Sequence, residues 1–181
     1  IFEIDLYGIQ RRVQAQYPSV DNLRIARQIP NRIHVTAEKR EPFALVVIGR
    51  TEVVIDGYGV VLEDQLFALK SLPLIVGVDD VDSPSPGDRL RSGQTGVALK
   101  ILNVMAGHPY LNHVKVRTMD VTNLSKITIA LENYGDVIMD RYQIEEKLGQ
   151  LGILLSQPDL DLKSIAYIDL RFKTPTGSKG K

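Results

Sequence analysis

Apolar positions fall into helical spacing in three places along the chain and alternate as in strands across most of the rest. Leu6, Ile9 and Val13 recur at three- and four-residue steps over 5–17, predicting a short helix that Pro18 stops. A second helix is predicted over 91–107, with a stripe of Val97, Ile101, Val104 and Met105 and an end at Gly107 and Pro109. The third lies over 141–156. There Ile144, Leu148, Leu151 and Leu155 share a face, Asp140 and Gln143 read as a capping-box start, and Pro158 follows.

Strands are predicted over 22–29 and 32–39, on either side of the turn signal Pro30-Asn31, and over 43–48, 51–55, 60–62, 113–119, 126–131, 136–139 and 165–172, while 72–75 is a short apolar segment. Asp56-Gly57-Tyr58-Gly59 predicts a hairpin turn, since glycine takes positive φ at little cost. The stretch 79–88, with Pro84, Pro86 and Gly87, reads as an exposed connection. In the last strand Ala166, Ile168, Leu170 and Phe172 alternate against Tyr167, Asp169, Arg171 and Lys173, which puts Phe172 on the apolar face.

This mixture predicts an α+β fold. A helix–strand–turn–strand unit over 1–41 is followed by a mixed β-sheet domain over 42–175 carrying two helices, and 176–181 is a polar tail expected to fray. A sheet that closes on a strand with no successor has an open C-terminal edge, which can accept a strand from a partner.

Composition narrows the function more than the fold. The 181 residues are 44% hydrophobic and 24% charged, which fits one sizeable core or two small domains and excludes a collagen, a disordered chain or a coiled-coil rod. Mean hydropathy is −0.05. Lys+Arg 22 against Asp+Glu 22 leaves no net charge, so the basic excess of a nucleic-acid binder is missing. The longest apolar run, 43–48, falls far short of the ~20 residues a membrane span needs. The chain opens at Ile1-Phe2-Glu3-Ile4 in mid-pattern, which reads as a cut within a longer protein.

Candidate chemistry is sparse. The absence of cysteine removes disulfides, thiolate metal sites and cysteine nucleophiles together. His34 falls on the polar side of a strand, and His108 and His113 flank a turn; zinc needs three or four convergent ligands, so no metal site is expected. Asp79-Asp80-Val81-Asp82 lacks the spacing of a calcium loop. Gly93-Gln94-Thr95-Gly96 matches neither the phosphate-loop nor the dinucleotide pattern and reads as helix-entry glycines. There is no Gly-x-Ser-x-Gly elbow, and Asn123-Leu124-Ser125 is only a formal glycosylation sequon. A hydrolase built on Asp56 or Asp169 would need paired groups with separated pKa values, which the spacing does not supply. The expectation is no catalytic residue, no metal and no cofactor, and a binding or scaffolding role.

Three stretches carry a resemblance. The first is Tyr17-Pro18-Ser19-Val20 with Pro30-Asn31-Arg32-Ile33-His34-Val35 and Arg40-Glu41-Pro42. The second is Ile55-Asp56-Gly57-Tyr58-Gly59-Val60-Val61 followed by Leu72-Pro73-Leu74-Ile75. The third is Lys147-Leu148 followed by Ala166-Tyr167-Ile168-Asp169-Leu170-Arg171-Phe172. Together, in this order, they resemble the extracytoplasmic part of the FtsQ/DivIB family of bacterial cell-division proteins. Two departures stand out: Lys39 where Glu is common before the Arg-x-Pro exit, and Asp140 where a Gly usually follows the strand before the closing helix.

The resemblance implies a POTRA-type module over 1–41 lacking its first strand, then an FtsQ-type β domain over 42–175. It implies a single-pass inner-membrane protein whose N-terminal anchor is absent from this chain, with this region in the periplasm or extracytoplasmic space at the division septum. There it would bind FtsB and FtsL and help control septal peptidoglycan synthesis, without being an enzyme. It places partner contacts at Phe172, the aromatic after Asp-Leu-Arg, and at Thr174, with Tyr167, Arg171 and Lys173 completing the candidate set. Two alternatives stay open: Phe172 completes the core, or the chain is a POTRA-bearing periplasmic module of an outer-membrane transport or secretion system.

Overall fold

The structure, a computed structural model, describes residues 4–63, 71–80, 82–157, 165–172 and 176–179. Its first elements are α1 (Leu6–Gln16), β1 (Val20–Gln28) and β2 (Arg32–Lys39). Asp5 starts α1 by accepting from the Gly8 backbone N–H at 2.9 Å, which satisfies one of the helix's orphan donors. β1 and β2 form a two-stranded antiparallel sheet with Gln28 opposite Arg32 across the Pro30-Asn31 turn. Leu23 is the buried residue of β1, whereas β2 is exposed at every position, Ile33 and Val35 included. Ile29, within the strand predicted over 22–29, sits in the turn instead and is 85% exposed.

The larger sheet has eight strands: β3 (Ala44–Ile48), β4 (Thr51–Ile55), β5 (Leu74–Val76), β6 (Val116–Asp120), β7 (Ile127–Leu131), β8 (Asp136–Met139), β9 (Ile165–Asp169) and β10 (Thr176–Lys179). Their spatial order is β10-β9-β8-β7-β6-β5-β3-β4. The pairs β3–β5, β5–β6 and β8–β9 are parallel and the rest antiparallel, so the sheet is mixed and the fold is α+β. The parallel pairs β5–β6 and β8–β9 are bridged by α2 (Gly93–Gly107) and α3 (Ile144–Leu155). These two crossovers run in the same sense and set both helices on one face, where Lys100 of α2 meets Glu145 of α3 at 2.9 Å.

That covered face is the core. Ile55, Ile75, Ile101, Leu111, Met119, Ile127, Ile129, Met139, Ile144, Leu148, Leu151 and Leu170 are its largest fully buried side chains. β3 and β7 both alternate between buried and half-buried positions, as strands of a one-sided sheet do. The buried face of α2 is wider than the expected stripe: Thr95, Ala98, Leu99 and Leu102 join Ile101 and Met105, while Val97 and Val104 are half-buried.

Three local expectations are corrected. Residues 60–62 are not a strand; they make isolated bridges and cover the end of β4, with the Leu62 N–H donating to Val54 O at 2.8 Å. The capping box does not form. Gln143 is itself the N-cap, at φ 52° and without a side-chain cap, while Asp140 accepts from the Tyr142 N–H and the Lys147 ammonium. And residues 176–179, expected to fray, pair with β9 as β10.

Candidate functional site

Of the candidate residues, Arg171 and Phe172 lie where β9 ends. β9 lies beside β8 in parallel register, with Asp136 opposite Tyr167 and Ile138 opposite Asp169. Gly135 makes this closeness feasible: a Cβ there would stand 2.3 Å from the Ile165 carbonyl oxygen, far inside contact distance. After Asp169 the strand stops. The Leu170 N–H still donates to Ile138 O at 2.8 Å, and Leu170 is fully buried, but 171–172 bend away.

The bend has a chemical cause. Asp169 is buried, and its carboxylate takes the Arg171 backbone N–H at 3.0 Å and the Arg171 guanidinium at 2.7 Å. Hydrogen bonds from Arg171 outweigh the penalty of burial and hold the Asp169 carboxyl below its ordinary value, while Asp169 in turn raises the guanidinium. Curling back in this way, Arg171 brings its guanidinium carbon 5.8 Å from the centre of the Phe172 ring. Phe172 is 58% exposed. It does not complete the core, because period-2 alternation ends with the strand at Asp169.

Tyr167 lies in the middle of β9 at 39% exposure, with Ser178 of β10 opposite it. Lys173 and Thr174 lie outside the described residues. The free edge is also one strand further out than expected. β9 has neighbours on both sides, and among the described residues β10 ends the sheet. At the other end, residues 60–62 cover part of β4.

A second arginine–aromatic pair stands at the same end of the sheet. β8 and β9 run parallel, so 140–142 follow β8 as 171–172 follow β9. Arg141 lies 5.1 Å from the Tyr142 ring centre and donates to its hydroxyl at 3.0 Å, and Tyr142 is 58% exposed. Asp140 holds this turn from below, binding the buried Lys147 ammonium at 2.6 Å. Period reading missed Arg141 and Tyr142 because they sit in a turn; an Arg-aromatic doublet directly after each of two strands was the available signal.

The carboxylates considered for hydrolysis are far apart and engaged. Asp56 follows β4 and Asp169 ends β9, with β3, β5, β6, β7 and β8 between those strands. Asp56 accepts from the Tyr58 and Val60 N–H groups and from Arg40, and Asp169 from Arg171. The sequon is a turn in which Asn123 accepts from the Ser125 N–H. Among the described residues no three His, Asp or Glu side chains group as a metal site, and no helix is long and apolar enough to cross a membrane.

Comparison with known protein families matches residues 44–171 to the family described as cell division protein FtsQ/DivIB, C-terminal. No curated protein matches the chain. The match takes in every strand from β3 to β9 and both core helices. It gives the alternative of an outer-membrane transport module no support. A match over well above half its length shows that the chain belongs to the FtsQ/DivIB family of cell division proteins.

Proposed function

We propose that this chain is the extracytoplasmic, non-enzymatic part of a divisome scaffold that docks FtsB- and FtsL-type partners at the β10 end of its large sheet. In this reading residues 1–41 are a POTRA-type module, residues 42–175 are the β domain, and a separate N-terminal anchor holds the protein in the inner membrane at the septum. Docking there would contribute to the control of septal peptidoglycan synthesis.

One observation supports the reading: among the described residues β10 ends the sheet, and its neighbour β9 is followed by an exposed aromatic, Phe172, backed by its own arginine. A bare strand edge offers backbone hydrogen bonds for affinity, and an aromatic with an arginine beside it is the usual composition of a binding hot spot. Tyr167, Arg171 and Phe172 supply side chains to this end of the sheet, and Lys173 and Thr174 belong to the same proposed surface.

The test is Phe172→Ala with the soluble extracytoplasmic fragments of the protein's own FtsB- and FtsL-type partners. The expected loss of binding is about 2 kcal/mol or more, with the melting temperature unchanged because the ring lies outside the core. Unchanged affinity at unchanged melting temperature would move the interface away from this edge.

A further inference from the structure

Arg40 stands one residue beyond β2, in the Arg40-Glu41-Pro42 link that leads to the large sheet. Its guanidinium faces both sides of that link. Nη2 meets Asp21 of β1 at 3.0 Å and Nε donates to the Pro18 carbonyl at 3.2 Å, while Nη1 meets Asp56 in the turn after β4 at 2.6 Å. The Arg40 side chain is 18% exposed and that of Asp56 only 5%, so the inner leg is largely shielded from water and salt.

Asp56 is well suited to this position. One carboxylate oxygen holds its own hairpin turn through the Tyr58 and Val60 N–H groups at 2.9 and 2.8 Å, which leaves the other free for Arg40. A second contact lies beside it. Gly87 comes so close to Pro18 that a Cβ there would stand 3.1 Å from the proline ring, and its φ of +94° excludes most other residues.

We propose that Arg40 is an ionic lock between the two sheets. One planar fork binds a carboxylate from each side, fixes the α1–β1–β2 unit against the eight-stranded sheet, and on release lets that unit swivel about Glu41-Pro42. A lysine would not replace it, since an ammonium is a point charge without the fork that meets two carboxylates and a carbonyl in one plane. The lock holds the exposed β2 face at one fixed position against the large sheet. This inference does not depend on where FtsB- or FtsL-type partners dock.

The chain has no native cysteine, so spin labels can be placed cleanly at Thr36→Cys on β2 and Arg117→Cys on β6, both exposed. Pulsed dipolar spectroscopy of the labelled protein should give a single narrow distance peak. Arg40→Met and Arg40→Lys should each lose that peak to a broad distribution. A narrow, unshifted peak in folded Arg40→Met would overturn the proposal. Should Arg40→Met fail to fold, Asp56→Asn decides, since its amide oxygen can keep the Tyr58 and Val60 N–H bonds while the charge that holds Arg40 across the link is gone: broadening supports the lock, and an unchanged peak overturns it.

Discussion

Asp169 and Arg171, two residues apart, bond each other through both backbone and side chain, and that pair is why β9 ends where it does. Asp169 occupies a buried position, so its charge requires Arg171, and Arg171 can answer only if the chain stops being a strand. Phe172 is thereby turned out of the core and left exposed.

Replacing Asp169 with Asn should lower stability by about 1–2 kcal/mol, measured by chemical denaturation; the figure is modest because the Arg171 side chain is 32% exposed and partly screened. The dependence on pH has a definite sign. A carboxyl held below its unfolded value contributes stability that is complete above the ordinary aspartate pKa of about 3.9 and fades as pH falls through the lowered value. The acid limb of the stability profile should therefore be shallower in Asp169→Asn than in the native protein.

Asp140 is paired with Lys147 at 2.6 Å. Asp140→Gly should destabilise the fold by roughly 1–3 kcal/mol, because it leaves an ammonium whose side chain is 10% exposed without its carboxylate. Adding Lys147→Met should recover most of that loss. A double variant as unstable as Asp140→Gly alone would show that the pair does not act as a unit.

Gly135→Ala should be costlier than an ordinary exposed glycine change. The added methyl would run into the Ile165 and Ala166 carbonyls at 2.3 and 2.6 Å, both backbone atoms of the neighbouring strand. Separation of β8 from β9 and a stability loss of about 1–3 kcal/mol are expected, with the largest amide shift changes along β9 in an NMR spectrum.

Leu148→Ala tests the core between α3 and the sheet. Leu148 is fully buried, so a cavity loss of about 2–5 kcal/mol is expected in a denaturation experiment.

Much of this fold was legible because its signals are local. Turn residues at Pro30-Asn31 and Asp56–Gly59 set the hairpins, and the predicted bounds of β2, β4 and β8 agree with those observed. What failed to show was whatever depended on a partner elsewhere in the fold. β10 offers Thr-Gly-Ser-Lys, with no apolar residue for periodicity to register, and its evident hold is backbone pairing to β9. Phe172 was assigned by extending alternation past Asp169, where a side-chain pair overrides it. Asp56 read as a turn residue, and its second role, binding Arg40 across sixteen residues of sequence, leaves no mark on spacing. Ile33 and Val35 of β2 are exposed although they alternate, because alternation reports pattern and cannot report cover.

The most direct test of edge docking is amide hydrogen exchange across residues 176–179, with and without the extracytoplasmic fragments of the proposed FtsB- and FtsL-type partners. Among the described residues β10 ends the sheet, so in the unbound protein its amides facing away from β9 should exchange fast. Strand addition should slow them on binding, together with protection around Arg171 and Phe172. Tight binding that leaves β10 exchange unchanged, with protection on another surface, would contradict the account.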